Sequence, residues 1–449
     1  MIFLFLSIRL GLEALAITKM DWPAIFCLLP EWLRFGLALE DWAEAYRQDP
    51  VFPAHAGAAV TAAFDVKLGR WRYVRQHGTT YGLSAAVTNF CRLPTLTAAA
   101  SRRITAVATI AYFDDNIVVD VLALSDSGPA SVRNIYAKEG VRLSPPKSTP
   151  LKERNAALGN YLDFSEITSR GILHQDVLDA CKEGIIAMMQ EALDKDILEK
   201  NDTGKLRGSL QWASSREWGK CGRMIMGPLV VHQFHRDSPR PSPELRDALE
   251  LMISILSRAP SRRVSVCPQV ELPITVYSDA AFGDLDDGLP GRAGWIAISP
   301  GGVMRASFWD LSPEKLEALS EKETHIALLE ALPAIFAVLM LGEFLHGKSV
   351  IWFVDNQGSA SSLVKGNSSD REVNRCVILA QWLWACREIL VWLEWVDSAS
   401  NISDGVSRYG MEDPFLSEQG ISPAEFAGPP LSELFCENLS DSIAFLEKW

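Results

Sequence analysis

The chain has 449 residues, 48% of them hydrophobic and 22% charged, the profile of a soluble globular protein with real cores and room for two or three domains. Its formal net charge of −13 weighs against a polyanion-binding surface over the whole molecule. It still leaves room for a local basic groove and for carboxylate clusters whose sign divalent metals reverse. None of the eight cysteines forms a C-x-x-C pair or stands at zinc spacing from a histidine, so they read as core thiols in a reducing, intracellular compartment.

Residues 1–16 are apolar, but no basic region precedes the run and Arg9 interrupts it. The run reads as a buried strand or helix, or as a start that is not the natural one, rather than as a signal peptide. No other stretch approaches the roughly 20 apolar residues of a membrane span. Residues 1–165 mix short apolar runs and helical patterns, as an α+β domain does. Residues 166–235 read as helical, with apolar positions at helical spacing through 177–193. A joint falls at 238–241, a helix at 243–256 and a linker at 257–273. Three strands of a meander follow, at 274–277, 293–298 and 303–308. Then come a helix over 324–341, a buried strand at 350–354, a helix over 373–390 and a strand at 391–395. The last segment, 411–449, is an acidic tail with paired prolines, Pro429 and Pro430. The predicted domains are therefore 1–165, 166–272, 273–410 and 411–449.

Four carboxylates punctuate the third domain. Asp279 sits just after its first strand, Glu330 inside the long apolar helix, Asp355 at the end of the buried strand, and Asp404 beyond the last strand. Asp279 and Asp355 are also ordinary turn residues, and Asp404 an ordinary helix N-cap. Glu330 has no such simple account, because an unpaired carboxylate inside an apolar helix is strongly disfavoured. Converging carboxylates repel one another, and Mg²⁺, which prefers hard oxygen ligands, relieves the repulsion. Two such ions about 4 Å apart can activate water and stabilise a leaving 3′-oxygen in phosphodiester cleavage.

The order strand-Asp, helix-Glu, strand-Asp, then Asn401-x-x-Asp404-x-x-Ser407-Arg408, together with the Gly294-Trp295 strand, resembles type 1 ribonuclease H fused to retroelement reverse transcriptases. The resemblance implies an α/β domain with a mixed five-stranded sheet and flanking helices. It also implies that Asp279, Glu330, Asp355 and Asp404 hold two Mg²⁺, or Mn²⁺, and cleave the RNA of an RNA–DNA hybrid. One departure is that no histidine lies between Asp355 and Asp404, where many members carry a mobile one.

In the first domain, Tyr112-Phe113-Asp114-Asp115 lies between the apolar run 104–111 and Ile117-Val118-Val119. Apolar strand, acidic pair and apolar strand make a hairpin with carboxylates at its tip. Upstream stand Glu40-Asp41-Trp42 and Ala45-Tyr46, then Tyr81-Gly82-Leu83. Downstream stand Pro146-Lys147-Ser148 and Leu158-Gly159. In that order they resemble the palm motifs of reverse transcriptases, in the style of DIRS-like or other LTR-type elements. The resemblance implies that Asp41, Asp114 and Asp115 are catalytic, with Asp41 and Asp114 holding two Mg²⁺. It places Tyr46, Gly82 and Lys147 at the incoming nucleotide, with template RNA, primer DNA and dNTPs as partners. Only forty residues precede Asp41, where the family carries a longer fingers region whose cations clamp the triphosphate, so polymerisation is expected to be impaired.

The helical segment carries Lys205, Arg207, Trp212, Lys220 and Arg223. Basic groups interleaved with Trp suit a nucleic-acid track, and suit equally a solvated surface over core tryptophans. By resemblance this is the thumb and connection. The expected protein is thus a shortened palm and thumb followed by a ribonuclease H-like domain, with no membrane partner. Its rivals are a non-catalytic nucleic-acid scaffold, such as a large spliceosomal protein that carries both kinds of domain without either activity, and a relic reading frame. Seven retained carboxylates argue against the scaffold, since metal-site acids are liabilities without metal. Oligomeric state is left open.

Overall fold

The computed structural model describes residues 33–449 apart from 56, 58, 80–83, 215–219, 259, 266–271, 284 and 437–438. The expectations for residues 1–16 and for Gly82 lie outside the described residues. The chain divides into two compact units, one drawn from Met1–Leu178 and Arg263–Gln269, the other from Asp179–Arg262 and Val270–Trp449. Both mix helices and strands.

In the first unit, strands β1 (Phe35–Asp41), β4 (Ala108–Tyr112), β5 (Asp115–Val121) and β6 (Thr149–Lys152) form one sheet in the order β4-β5-β1-β6. Strand alternation sends Leu37, Ile117 and Val119 to one face, where they pack with Ala157, Phe164, Ile167 and Leu173. Ala38 and Val118 face the other way and pack with Val132 and Tyr136 of helix Ser127–Lys138. Both faces are covered, which is why β1 and β5 read as continuous apolar runs.

A second sheet has the order β10-β9-β8-β7 and joins β7 (Arg154–Ala157), β8 (Asn160–Asp163), β9 (Ile172–Val177) and β10 (Arg262–Ser265). Two sequence expectations are corrected here. Residues 166–235 are not helical throughout, because β9 alternates half-buried and buried positions from Ile172 to Val177. The supposed linker 257–273 contains β10. A separate two-stranded ribbon pairs β2 (Val60–Asp65) with β3 (Arg70–Arg75). The apolar run 104–111 is likewise not one strand. Helix Ser84–Thr105 takes its first two residues, Ala106 turns left-handed at φ 57, and β4 starts at Ala108.

The second unit carries helices Asp179–Lys195, Lys200–Ser214, Met226–His235 and Pro243–Arg258, then a six-stranded mixed sheet. Its order is β15-β14-β11-β12-β13-β16, built from β11 (Ile274–Phe282), β12 (Gly291–Ile298), β13 (Met304–Leu311), β14 (Ser349–Val354), β15 (Leu390–Trp395) and β16 (Ala424–Glu425). β11, β12 and β13 pair antiparallel, whereas β14 runs parallel to β11 and β15 parallel to β14. The sixth strand is a two-residue addition beside β13. It comes from the segment read as a tail, which is packed rather than loose. Leu416 joins the core with Ile296, Phe308 and Val406. Helix Leu439–Leu446 buries Leu439, Ile443 and Leu446.

The expected helix over 324–341 begins at Ile326, passes Pro333 at a first-turn position that lacks no hydrogen bond, and bends at Gly342. Contrary to expectation, the run Ile326–Leu345 is long and apolar enough to cross a membrane. Here it is a core helix, most of it buried inside the unit. The helix expected over 373–390 spans Arg371–Cys386 and begins at Asp370, whose carboxylate accepts from the amides of Glu372 and Val373.

Candidate active site

Three of the four carboxylates predicted in the second unit come together. Asp279, Glu330 and Asp355 each offer an oxygen, and these oxygens lie within 4.8 Å of one another. Their placement follows from the fold. Asp279 lies inside β11, not after it, opposite Gly294 of β12. A Cβ on Gly294 would come within 2.8 Å of the backbone nitrogen of Ser407, so the absent side chain lets helix Asp404–Tyr409 approach the strand. Glu330 projects from helix Ile326–Ala331 with 4% of its surface exposed. Asp355 follows Val354 at the end of β14, and the next residue, Asn356, accepts the amide of Ser359 and starts helix Gln357–Lys365.

Among the described residues, no Lys, Arg or His forms an ion pair with Asp279, Glu330 or Asp355; the nearby Arg408 pairs with Asp404. Among the same described residues, Oε2 of Glu330 and Oδ1 of Asp355 are buried with no hydrogen-bond donor, an arrangement that costs free energy unless something positive fills it. Burial, reinforced by the neighbouring charges of Asp279 and Asp355, pushes Glu330 up to about 9. Burial also raises Asp279, opposed by the hydroxyl of Ser407 and assisted by Asp355 and Asp404. An all-oxygen, unneutralised cluster of this kind fits a hard divalent cation such as Mg²⁺ or Mn²⁺.

The fourth predicted ligand stands apart. Asp404 is the first residue of its helix, and its Oδ1 accepts from Nε of Arg408 at 2.9 Å. It is not among the oxygens that gather within 4.8 Å, although its charge acts on Asp279.

Several supporting groups carried no role in the sequence reading. Ser398 donates its hydroxyl to Oδ2 of Asp355 at 2.8 Å, and the indole N–H of Trp395 donates to the Asp355 carbonyl at 2.8 Å. Asn401 donates to the carbonyl of Ser278 at 3.0 Å, one residue before Asp279. Ser407 donates to Oδ2 of Asp279. Asn401 and Ser407 lay inside the quoted motif, so their spacing to Asp404 was the available signal. Ser398 and Trp395 had none.

In the first unit Asp115 pairs in register with Asp41 and with Tyr112, leaving Phe113 and Asp114 as the two-residue turn. Phe113 takes φ 53, the conformation such a turn requires. Lys147 lies with Nζ 3.3 Å from the Asp41 carboxylate. Burial, with the charges of Asp114 and Asp41 adding to it, pushes Asp115 up to about 6, and Lys147 opposes that rise. Beneath the turn, the buried Asn116 accepts from the Tyr136 hydroxyl at 2.8 Å and reaches the carbonyls of Glu40 and Asp114. Tyr46, in the short helix Ala45–Gln48, lies against Phe90 with ring centroids 4.7 Å apart.

The predicted binding residues of the helical segment divide. Lys205 pairs with Asp202 at 2.9 Å, and the guanidinium of Arg207 lies 5.2 Å from the Phe234 ring centre. Trp212 is half-buried. Lys220 donates to the carbonyl of Val364, and Arg223 to that of Lys365 at 3.4 Å. Those two cations therefore satisfy the C-terminal carbonyls of helix Gln357–Lys365.

No protein-family model matches the chain, and no curated protein does. Solved structures similar to it include the foamy viral protease-reverse transcriptase in complex with RNA/DNA hybrid, at 11% identity and a TM-score of 0.42, covering 82% of this chain and 45% of that one. They also include the dRH form in complex with double-stranded DNA, at 13% identity and a TM-score of 0.41, covering 84% of this chain and 60% of that one. The chain thus spans about half the length of these structures.

Proposed function

We propose that the chain is a Mg²⁺- or Mn²⁺-dependent nuclease that cleaves the RNA strand of RNA–DNA hybrids, the ribonuclease H activity of a retroelement-type reverse transcriptase. The observation that carries this reading is the meeting of Asp279, Glu330 and Asp355 within 4.8 Å, with two of their oxygens buried and unpartnered. These three residues would hold the metal, and Asp404 would join them by leaving Arg408. When bound, two such ions supply an activated water and neutralise the leaving 3′-oxygen. The chain itself fixes the ligands. Ser407 orients Asp279, Ser398 orients Asp355, and Trp395 anchors the backbone that carries Asp355.

A second activity of the same chain, RNA-templated DNA synthesis, is favoured by the register of Asp41 and Asp115 with Lys147 beside them. In that reading Asp41 and Asp114 would hold the metal, Tyr46 and Lys147 would face the dNTP, and template RNA and primer DNA would be the partners.

The test is cleavage of an end-labelled RNA–DNA hybrid in Mg²⁺ and in Mn²⁺ by the wild-type chain and by Asp355→Asn. Cleavage by wild type that disappears in the variant supports the nuclease. A cooperatively melting wild-type protein that cleaves in neither metal overturns it and leaves the non-catalytic scaffold.

A further inference from the structure

Between the first unit's two acidic motifs lies a segment whose charge opposes that of the chain. Residues 50–113 contain seven cations (Lys67, Arg70, Arg72, Arg75, Arg92, Arg102 and Arg103) and one acid, Asp65. The segment is therefore +6 in a chain of −13, and the remaining residues sum to −19. Four of the seven cations sit on the β2–β3 ribbon or its turn.

The ribbon is built to stand out. Asp65 accepts the amides of Lys67 and Leu68 at 3.0 and 3.1 Å, and Gly69 adopts φ +57, which closes a four-residue turn between Asp65 and Arg70. At its base Val51 donates to the His77 carbonyl and Gln76 to the Ala59 carbonyl. A Cβ on Gly78 would lie 2.3 Å from the carbonyl of Arg47, so the ribbon springs directly from the helix that carries Tyr46.

Cross-strand pairing sorts its side chains. Val60, Ala62, Phe64, Trp71, Tyr73 and Arg75 share one face, while Arg70 and Arg72 lie on the other with Asp65. Trp71 is 59% exposed and Tyr73 72%. Phe64 meets Trp71 edge-to-face at 5.6 Å. Arg72 reaches Asp65 at 3.6 Å, and Lys67, Arg70 and Arg75 have no acidic partner among the described residues. An aromatic face this open gains little from burial, and a two-stranded ribbon alone is marginally stable. Exposed aromatic rings with Arg75 on their own face, and Arg70 and Arg72 on the opposite face of the same two-stranded ribbon, let unpaired bases stack while the phosphates reach cations round its edge. The local reversal of charge selects a polyanion over an apolar protein partner.

We propose that the β2–β3 ribbon is a binding site for single-stranded nucleic acid, with Trp71 and Tyr73 stacking on bases and Lys67, Arg70, Arg72 and Arg75 on the phosphates. The ribbon belongs to the first unit and the three gathered carboxylates to the second, and the proposal does not rest on the nuclease reading.

The experiment is fluorescence anisotropy of a labelled oligothymidylate with the full chain in EDTA, repeated over a range of salt. The Trp71→Ala/Tyr73→Ala double variant is expected to bind about tenfold more weakly or worse. Trp71→Phe/Tyr73→Phe keeps the rings and is expected to stay within about threefold of wild type. Arg70→Ala/Arg72→Ala/Arg75→Ala is expected to lower the slope of log affinity against log salt by about 2. Unchanged binding by the double Ala variant and the triple variant overturns the proposal, as does equal loss in the Phe and Ala variants. A wild-type dimer that the double Ala variant converts to monomer, with strand binding intact, also overturns it and makes the face a contact between copies. Hybrid cleavage is read in parallel. Cleavage without ribbon-dependent strand binding sinks the ribbon alone, and strand binding without cleavage sinks the nuclease alone.

Discussion

The hydroxyl of Ser407 donates to Oδ2 of Asp279, and both side chains are buried. One carboxylate oxygen of Asp279 is thereby held by a hydrogen bond. The same hydroxyl lies 2.9 Å from the carbonyl of Asp404, so one small side chain ties β11 to the helix that carries the fourth acid. Hydrogen bonds to charged groups contribute about 1.5–3 kcal/mol. Ser407→Ala is expected to lower hybrid cleavage about tenfold or more and to raise the Mg²⁺ concentration for half-maximal rate. Ser407→Thr, which keeps the hydroxyl, should recover most of both. A rate loss with unchanged Mg²⁺ dependence would show that Ser407 does not position a ligand.

Glu330 makes the metal-free protein sensitive to pH in a defined sense. Its ordinary value is 4.5 and burial pushes it up to about 9 in the fold. Between those values the folded state holds a proton that the unfolded chain has released, so stability falls as pH rises. The contribution is fully present below about 4.5 and is lost as pH climbs through about 9. Asp279 is raised as well and acts in the same direction. In EDTA the melting temperature is expected to fall across this window. Glu330→Gln, an uncharged isostere, should flatten the fall and lose the stabilisation that Mg²⁺ gives to wild type. A metal-free melting curve that rises with pH over the same range would contradict the burial of this acid.

Where the sequence was legible, the reason is local. Glu330 declared itself because no surface turn or cap could explain an acid inside Ile326–Ala331. Asp114 and Asp115 declared themselves because apolar runs flank a two-residue turn. Asp279 was misplaced to a strand end because Ser278, Asp279 and Ala280 look like a turn, whereas β11 continues to Phe282 by pairing with β12, a contact invisible to local pattern. The acidic tail misled for a similar reason. Its prolines and charges gave no sign of a core, yet Leu416, Leu431, Leu434 and Ile443 are buried, and Leu416 packs with Ile296 and Phe308, far earlier in the chain. The basic segment 50–113 was legible in plain residue counts, but whole-chain charge concealed it. That Lys220 and Arg223 bind helix carbonyls depends on a helix more than 130 residues away, and no pattern near them signals it.

Lys147 offers a test of the paired carboxylates. Its ammonium lies 3.3 Å from Asp41, and it is one of the groups holding Asp115 down against burial and the charges of Asp114 and Asp41. Lys147→Ala removes an exposed side chain, so little loss of stability is expected. The Asp115 titration, near 6 in wild type, should move higher. Carboxyl-carbon NMR titration of the metal-free protein reads this shift. A downward movement would mean that Lys147 does not face the acidic turn.

Arg292 carries the last prediction. Its guanidinium is 5% exposed, with Nε 2.5 Å from Asp310, a second contact to Asp287, and Nη1 donating to the carbonyl of Arg408 at 3.1 Å. It therefore secures both the loop before β12 and the end of helix Asp404–Tyr409. Asp287 is 46% and Asp310 21% exposed, so water rehydrates both acids when the guanidinium is removed, and the cost is that of the lost hydrogen bonds, about 1–3 kcal/mol. Arg292→Ala should lower the unfolding midpoint accordingly. Arg292→Lys keeps the charge but not the fork that reaches three acceptors, so it should recover only part of the stability. Since Asp404 belongs to the helix being held, the Lys variant should also need more Mg²⁺ for cleavage. Full stability in Arg292→Ala, measured by urea unfolding, would show that the network contributes nothing to the fold.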